Sequence, residues 1–182
     1  MTVRSFIKIL GTCFLLNCAI AGGGCAPSDP AAEIVKGGDA FEKNGQNEKA
    51  MAEYDRALEV NSQSADAYYS RGLLYMKQGD LNKALSDFNK VIAINPDYSQ
   101  PYYRRGLICE AQGQSDKAIE EYTKAIENNN VFGLAYAKRS KLYNSKGEYR
   151  KALDDAQKAR TIGEHISDDD IKQMQESASR QK

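Results

Sequence analysis

A pattern of small, apolar and polar positions is repeated four times along the chain, in windows of 34 residues that align without a gap: 31–64, 65–98, 99–132 and 133–166. In each window, bulky or small apolar residues recur at positions 4, 8 and 11, and again at positions 20, 24 and 27. Steps of four and three place each set on one face of a helix. Glycine at position 15 separates the two sets in every window, as expected where a helix ends and the chain reverses. Each window therefore predicts two antiparallel helices, A and B, and the predicted fold class is all-α.

Position 8 carries a small residue in every repeat, and position 24 carries a large aromatic residue in three of them. The small residues are Gly38, Gly72, Gly106 and Ser140, and the large ones are Tyr54, Phe88 and Tyr122. We expect the small residues to let helices A and B approach closely, with the aromatic rings filling the space beside them. Ala156 at position 24 and Cys109 at position 11 replace aromatic residues, which predicts looser packing in repeats 3 and 4. Cys109 is interpreted as a small buried hydrophobic residue rather than a reactive thiol.

These positions resemble the tetratricopeptide repeat (TPR) family, which has a bulky residue at position 4, small residues at 8 and 20, and aromatic residues at 11 and 24. The resemblance covers 136 of the 182 residues. It implies a right-handed superhelical solenoid of four helical hairpins. A solenoid needs a cap, because its last hairpin would otherwise leave an apolar face in water. Residues 167–182 are predicted to form a capping helix and tail, in which Ser167 and the acidic residues at 168–170 begin the helix.

The first 24 residues have the three parts of an export signal: a cationic start with Arg4 and Lys8, an apolar run, and small residues at the exit. As a helix the run spans about 24 Å, which is too short for a hydrocarbon core of about 30 Å. The exit and Cys25 resemble the lipobox of bacterial lipoproteins, whose cysteine receives a lipid. Residues 25–30 would then tether the protein to its membrane. Cleavage after Ala21, which leaves a soluble periplasmic or secreted protein, and an uncleaved inner-membrane anchor are the alternatives.

Composition excludes several classes of function. The 25 basic and 25 acidic residues give a net charge of zero, whereas a nucleic-acid-binding protein needs a concentrated basic face. His165 is the one histidine of the chain, and it is interpreted as a surface residue. The sequence contains no nucleophile turn, phosphate-binding loop or metalloprotease motif. We therefore predict no catalytic residue, no metal, no cofactor and no nucleic-acid partner, and we do not expect an enzyme.

The resemblance also implies where a partner would bind. In TPR proteins, positions 2, 5, 9 and 12 of the A helices line a peptide-binding groove. The candidate groove residues are Tyr69, Leu73, Met76, Tyr103 and Leu107, with Arg104 and Lys138 at position 6 to attract acidic groups. Exposed apolar side chains grouped on one face are what a partner segment would bury. Replacing Tyr69 and Tyr103 by Ala is accordingly expected to abolish partner binding with little loss of stability. Tight stacking of the repeats or a homodimer that covers these residues is the alternative.

Arginine recurs at position 7, as Arg71, Arg105 and Arg139. We expect the stems of these side chains to pack between repeats with the guanidinium groups directed outward. The carboxylate clamp of chaperone-binding TPR proteins has Lys and Asn at positions 5 and 9 of its first repeat, where this chain has Val35 and Asp39. Binding of a heat-shock chaperone tail is therefore not predicted.

The sequence thus predicts a protein–protein interaction scaffold of the bacterial cell envelope, membrane-anchored through Cys25 and facing the periplasm. It resembles TPR lipoproteins that assist the assembly of envelope complexes. A soluble secreted or periplasmic adaptor and a homo-oligomeric structural protein are the alternatives.

The mature N-terminus distinguishes the lipoprotein from the soluble adaptor. We expect the intact mass of the protein purified from bacterial membranes to correspond to a chain that begins at Cys25 and carries a diacylglycerol group. Globomycin, which inhibits lipoprotein signal peptidase, should block this processing. A soluble chain that begins at Gly22 would show the lipoprotein interpretation to be wrong.

Overall fold

The computed structural model describes residues 29–180, which form nine α-helices. The helices are α1 (Pro30–Lys43), α2 (Asn47–Val60), α3 (Ala65–Gln78), α4 (Leu81–Ile94), α5 (Ser99–Ala111), α6 (Ser115–Asn128), α7 (Gly133–Ser145), α8 (Tyr149–Ile162) and α9 (Asp168–Arg180). The predicted export signal and Cys25 lie outside the described residues.

The helices pack in chain order as a row of antiparallel hairpins. Within each repeat helix A packs on helix B, and helix B packs on helix A of the next repeat. The first two A helices, α1 and α3, also contact each other, and α9 packs on α8. The predicted all-α solenoid is confirmed, and its core is a succession of small clusters between neighbouring helices.

A left-handed glycine ends each A helix. Gly45, Gly79, Gly113 and Gly147 have φ angles of 73°, 83°, 70° and 75°. A residue with a Cβ atom adopts this conformation only with strain, whereas glycine does so freely. In the second repeat, the N–H of Gly79 donates to the carbonyl oxygen of Met76 at 3.0 Å. The glycine at position 15 therefore sets the A–B turn of every hairpin.

The close approach predicted for position 8 is present in the first three repeats. A Cβ atom added to Gly38 would lie 2.6 Å from the ring of Tyr54, one on Gly72 would lie 2.8 Å from Phe88, and one on Gly106 would lie 2.4 Å from Tyr122. The three aromatic side chains at position 24 are fully buried. Each hairpin is thus closed by a ring that lies against the backbone of its helix A.

The fourth repeat fills the same space differently. Ala156 replaces the ring, and Met174 of α9 reaches the site from the neighbouring helix: its sulfur lies 3.9 Å from Oγ of Ser140. That hydroxyl donates to the carbonyl oxygen of Ala152 at 2.7 Å. Since Ala156 is fully buried and Met174 is 5% exposed, α9 supplies the packing that the aromatic residue supplies elsewhere.

The capping helix begins where the sequence predicts it. The hydroxyl of Ser167 accepts a hydrogen bond from the N–H of Asp170 at 3.1 Å, which satisfies one of the free amide groups of the first turn. Ile171 and Met174 are buried against the last hairpin, while most of the remaining side chains of α9 are exposed. The helix therefore closes the core with a polar outer face.

Between residues 29 and 180, no helix combines the length and the apolar content needed to cross a membrane. Within the same span, no group of three or more His, Cys, Asp or Glu side chains is placed to hold a metal ion.

Two glycine substitutions test the close packing of the hairpins. Gly106→Ala should destabilise the fold by about 1–3 kcal/mol, because its new methyl group overlaps the buried ring of Tyr122. Gly37→Ala is the matched control: it lies inside α1 with no neighbouring atom within 4 Å of an added Cβ. Removal of a helical glycine there should stabilise the protein by up to about 1 kcal/mol. Urea unfolding followed by circular dichroism measures both, and equal effects would contradict the assignment of position 8.

Candidate functional site

The A helices α1, α3, α5 and α7 present positions 2, 5, 9 and 12 on one surface, which we call the A-helix face. Leu73 and Met76 of α3 are half-buried and pack beside the cluster formed by Ala84, Phe88 and Ile108. Leu107 of α5 is half-buried beside the cluster around Tyr122. These side chains are therefore partly covered by their own repeats and partly open.

The two predicted groove tyrosines have different environments. Tyr103 is only 6% exposed, and its ring centroid lies 4.9 Å from that of Phe132 and 5.7 Å from that of Tyr122. The prediction that this ring is exposed is wrong, because stacking of consecutive repeats encloses it. We therefore expect replacement of Tyr103 by Ala to cost stability as well. Tyr69 is half-buried, with ring centroids of Phe88 and Tyr98 at 5.9 and 5.4 Å.

The two predicted groove cations already have partners within the chain. Nε of Arg104 donates to the hydroxyl of Tyr69 at 3.2 Å, and its guanidinium lies 5.6 Å from the ring centroid of Tyr103. Nζ of Lys138 donates to Glu110 at 3.4 Å. Both contacts join consecutive A helices, α5 to α3 and α7 to α5. They therefore connect the repeats across the A-helix face.

Acidic side chains of the same face accept hydrogen bonds from buried tyrosines. The hydroxyl of Tyr54 donates to Asp39 at 2.8 Å and to Glu42, at position 12, at 3.4 Å. The hydroxyl of Tyr122 donates to Glu110, also at position 12, at 2.7 Å. Burial, reinforced by the hydrogen bond to Glu110, raises the pKa of the Tyr122 phenol well above its usual range. The second repeat has Phe88 at position 24, which has no hydroxyl group to donate, and the apolar Met76 at position 12. This pairing was not predicted from the sequence, although positions 12 and 24 change together along the chain.

The arginines at position 7 form ion pairs with acids of helix B. Nε and Nη2 of Arg71 each donate to a carboxylate oxygen of Asp87 at 2.8 Å, and Asp87 is 3% exposed. Nε and Nη2 of Arg139 donate in the same way to the two carboxylate oxygens of Asp155, at 2.7 and 2.8 Å. Nη2 of Arg105 donates to Glu121 at 2.8 Å. The expectation that these guanidinium groups point outward is wrong, because the acid at position 23 holds each of them against helix B.

Two of these arginines also reach the preceding repeat. Nη1 of Arg71 donates to Asp55 of α2 at 2.6 Å, and Nη1 of Arg139 donates to Thr123 of α6 at 2.9 Å. Position 7 thus joins three helices: its own helix A, the helix B of its repeat and the helix B before it. The predicted role between neighbouring repeats is present, carried by the charged group as well as by the stem.

Cys109 is half-buried and packs beside the cluster around Tyr122. Burial raises the pKa of its thiol, so that the protonated form is favoured. This environment agrees with the interpretation as a small packing residue.

An open cleft lies at the C-terminal end of the A-helix face, between α7 and α9, with a volume of about 310 Å³. Its α7 wall carries Leu134, Ala137, Lys138 and Lys141, the first of which is 46% exposed. The connection to α9 and the first turns of that helix provide the other wall: Glu164, His165, Ile166, Asp170 and Met174. His165 is exposed, as predicted. This cleft could not be predicted from the sequence, because it depends on how α9 packs.

The sequence matches the tetratricopeptide repeat family in three overlapping stretches, described as TPR repeat over residues 38–79 and as tetratricopeptide repeat over residues 65–98 and 88–120. No curated protein sequence matches the chain significantly. Among solved structures, it is similar to the crystal structure of MamA, with 27% identity, a TM-score of 0.66, and coverage of 75% of this chain and 80% of the other.

Two further solved structures share the fold. PilW, described as a widely conserved type IV pilus biogenesis factor, has 15% identity and a TM-score of 0.63, with 71% of this chain and 60% of PilW covered. The first TPR of Spaghetti (RPAP3), bound to an HSP90 peptide, has 22% identity and a TM-score of 0.60, with 65% and 94% covered. At these identities the likeness concerns the fold alone.

Removing one partner of a buried arginine pair should cost far more stability than removing one partner of an ion pair on the A-helix face. Arg71→Ala leaves the buried carboxylate of Asp87 without its partner, and should cost about 3–5 kcal/mol. Lys138→Ala removes a pair in which both side chains are about one third exposed, and should cost at most about 1 kcal/mol. Urea unfolding of the two variants measures the difference, and a small loss in Arg71→Ala would remove the structural role of position 7.

Proposed function

Because the chain belongs to the tetratricopeptide repeat proteins, we propose that it is a non-enzymatic scaffold of the bacterial cell envelope that holds a segment of a partner protein on its A-helix face. The observation that carries the proposal is the succession of partly open apolar side chains on that face. Leu73 and Leu107 occupy the same position of consecutive A helices, and Leu134 follows at the C-terminal end. Such a row offers apolar area that a bound segment would remove from water.

The acidic side chains support a scaffold rather than a catalyst. Asp87 and Asp155 are occupied by arginines, and Asp39 and Glu110 accept hydrogen bonds from buried tyrosines. These carboxylates are used to hold helices together. A general acid or base would need a proton-transfer group directed toward a bound substrate.

Similar structures support the same class of function. The first TPR of Spaghetti holds an HSP90 peptide, and PilW is a type IV pilus biogenesis factor. We transfer the class of ligand, a protein segment, and leave the chaperone peptide aside. Val35 and Asp39 stand where the clamp for a chaperone carboxylate needs Lys and Asn, and Val35 is buried.

The envelope location is proposed from the N-terminal sequence. Its cationic start, short apolar run and small-residue exit before Cys25 are typical of an exported lipoprotein. A lipid on Cys25 would place the solenoid within a few residues of the membrane, since α1 begins at Pro30. An exported scaffold in this position would hold its partner near the bilayer surface.

Photocrosslinking in the native bacterium tests the scaffold function. A photoreactive residue in place of Asp66 or Leu134, which are exposed at position 2 of helix A, should yield one specific crosslinked protein. The matched controls are Arg56 and Lys90, which are exposed at position 26 of helix B and should yield none. Crosslinks equally frequent at all four sites, or absent from all of them, would contradict binding on the A-helix face.

A further inference from the structure

The cleft between α7 and α9 differs from the rest of the A-helix face in the state of its charges. Arg104, Asp39 and Glu110 of the first three repeats have partners within the chain, and Lys138 of repeat 4 pairs with Glu110 at the edge of the cleft. The exposed Asp66 forms no hydrogen bond or ion pair with any residue between 29 and 180, but it stands alone on its part of the face. In the cleft, Lys141 is exposed and forms no hydrogen bond or ion pair with any residue between 29 and 180. The carboxylates of Glu164 and Asp170 are likewise unpaired within the described part of the chain.

These unpaired charges stand on opposite walls. Lys141 belongs to the α7 wall, while Glu164 and Asp170 belong to the wall made by the α8–α9 connection and α9. No ion pair within 4.0 Å joins Lys141 to Glu164 or Asp170. Apolar side chains lie with them: Leu134 at 46% exposure, Ile166 half-buried and Met174 buried. The cleft thus combines apolar side chains with a cationic group on one wall and anionic groups on the other.

The volume of the cleft limits what can enter it. Ligand pockets range from about 300 to 1,000 Å³, and this cleft, at about 310 Å³, lies at the small end. It accommodates a few side chains of an extended segment rather than a whole helix. Because its α7 wall uses positions 2, 5, 9 and 12, a segment lying there would continue along the A-helix face.

The geometry points to this cleft as the docking site for a short segment of a partner protein that carries an acidic side chain, an apolar side chain and a basic side chain. The acidic group would pair with Lys141, the basic group with Glu164 or Asp170, and the apolar group would cover Leu134 and Ile166. This inference rests on the proposed scaffold function and adds the chemistry of the partner. It assigns recognition to repeat 4 and α9 instead of the tyrosines of repeats 2 and 3.

Three fluorescein-labelled peptides with the cores Glu-Leu-Lys, Glu-Leu-Glu and Lys-Leu-Lys, identical in their glycine flanks, probe the charge pattern. Binding to the full chain in mild detergent is followed by fluorescence anisotropy at low ionic strength. The mixed-charge peptide should bind about two- to fivefold more tightly than either of the others, since each exposed ion pair contributes modestly. Equal binding of all three, or no binding, would overturn the proposal.

Matched variants locate the site. Lys141→Glu should remove the preference for the mixed-charge peptide and make Lys-Leu-Lys the tightest binder of the three, whereas Lys172→Glu, on the exposed side of α9, should leave the order of affinities unchanged. Leu134→Ser should abolish binding, and Val60→Ser, an equivalent change at a 53% exposed site on α2, should not. An unaltered selection in Lys141→Glu would show that the peptides bind elsewhere.

Two further outcomes separate this inference from its alternatives. If Leu134→Ser lowers the sedimentation coefficient of the full chain and the peptides do not bind, a second copy occupies the cleft and the proposal is wrong. If the partner crosslinked at Asp66 is still recovered from cells carrying Leu134→Ser and Lys141→Glu, the scaffold function stands and the cleft is not its site. Loss of that crosslink, with native circular dichroism, supports the cleft.

Discussion

The contact between a small residue of helix A and a large aromatic ring of helix B holds each of the first three hairpins together. A glycine at position 8 brings the backbone of helix A against the ring at position 24, within a distance that no Cβ atom would allow. Glycine inside a helix costs about 1 kcal/mol of stability relative to alanine. Burial of the aromatic ring stabilises the hairpin by more than this amount. The contact therefore sets how closely the two helices of these hairpins approach, and with it the placement of the A helices that form the candidate binding surface.

A second interaction joins the hairpins. The arginine at position 7 binds a buried acid of its own repeat, and in repeats 2 and 4 it extends to helix B of the repeat before. Buried ion pairs contribute less net stability than apolar packing of the same volume, but an unpaired member is costly, so that the pair favours one alignment of the repeats. Repeat 1 has Gly37 at this position and so lacks the arginine.

These two interactions explain why the A-helix face is not uniform. Where a repeat is followed by another repeat, stacking covers Tyr103 and links Arg104 and Lys138 to neighbouring A helices. Among the described residues α7 is the last A helix, and α9, whose buried residues are Ile171 and Met174, packs beside its end of the solenoid. This end therefore keeps an open cleft that contains unpaired charges.

The repeat pattern was sufficient to predict the all-α hairpins, the glycine turns and the position 8 contacts, and Ser167 with the acids after it predicted the start of the capping helix. Helical periods, turn glycines and N-cap residues are visible in the residue types themselves. The exposure of Tyr103, the direction of the arginines and the cleft could not be predicted in this way. Tyr103 is buried by Phe132, the residue that precedes α7. The guanidinium groups are bound by acids 16 residues away on helix B. One wall of the cleft belongs to α9, which lies outside the repeats. Such properties depend on the relative placement of whole helices, and a helical period specifies the face of a residue but not what covers that face.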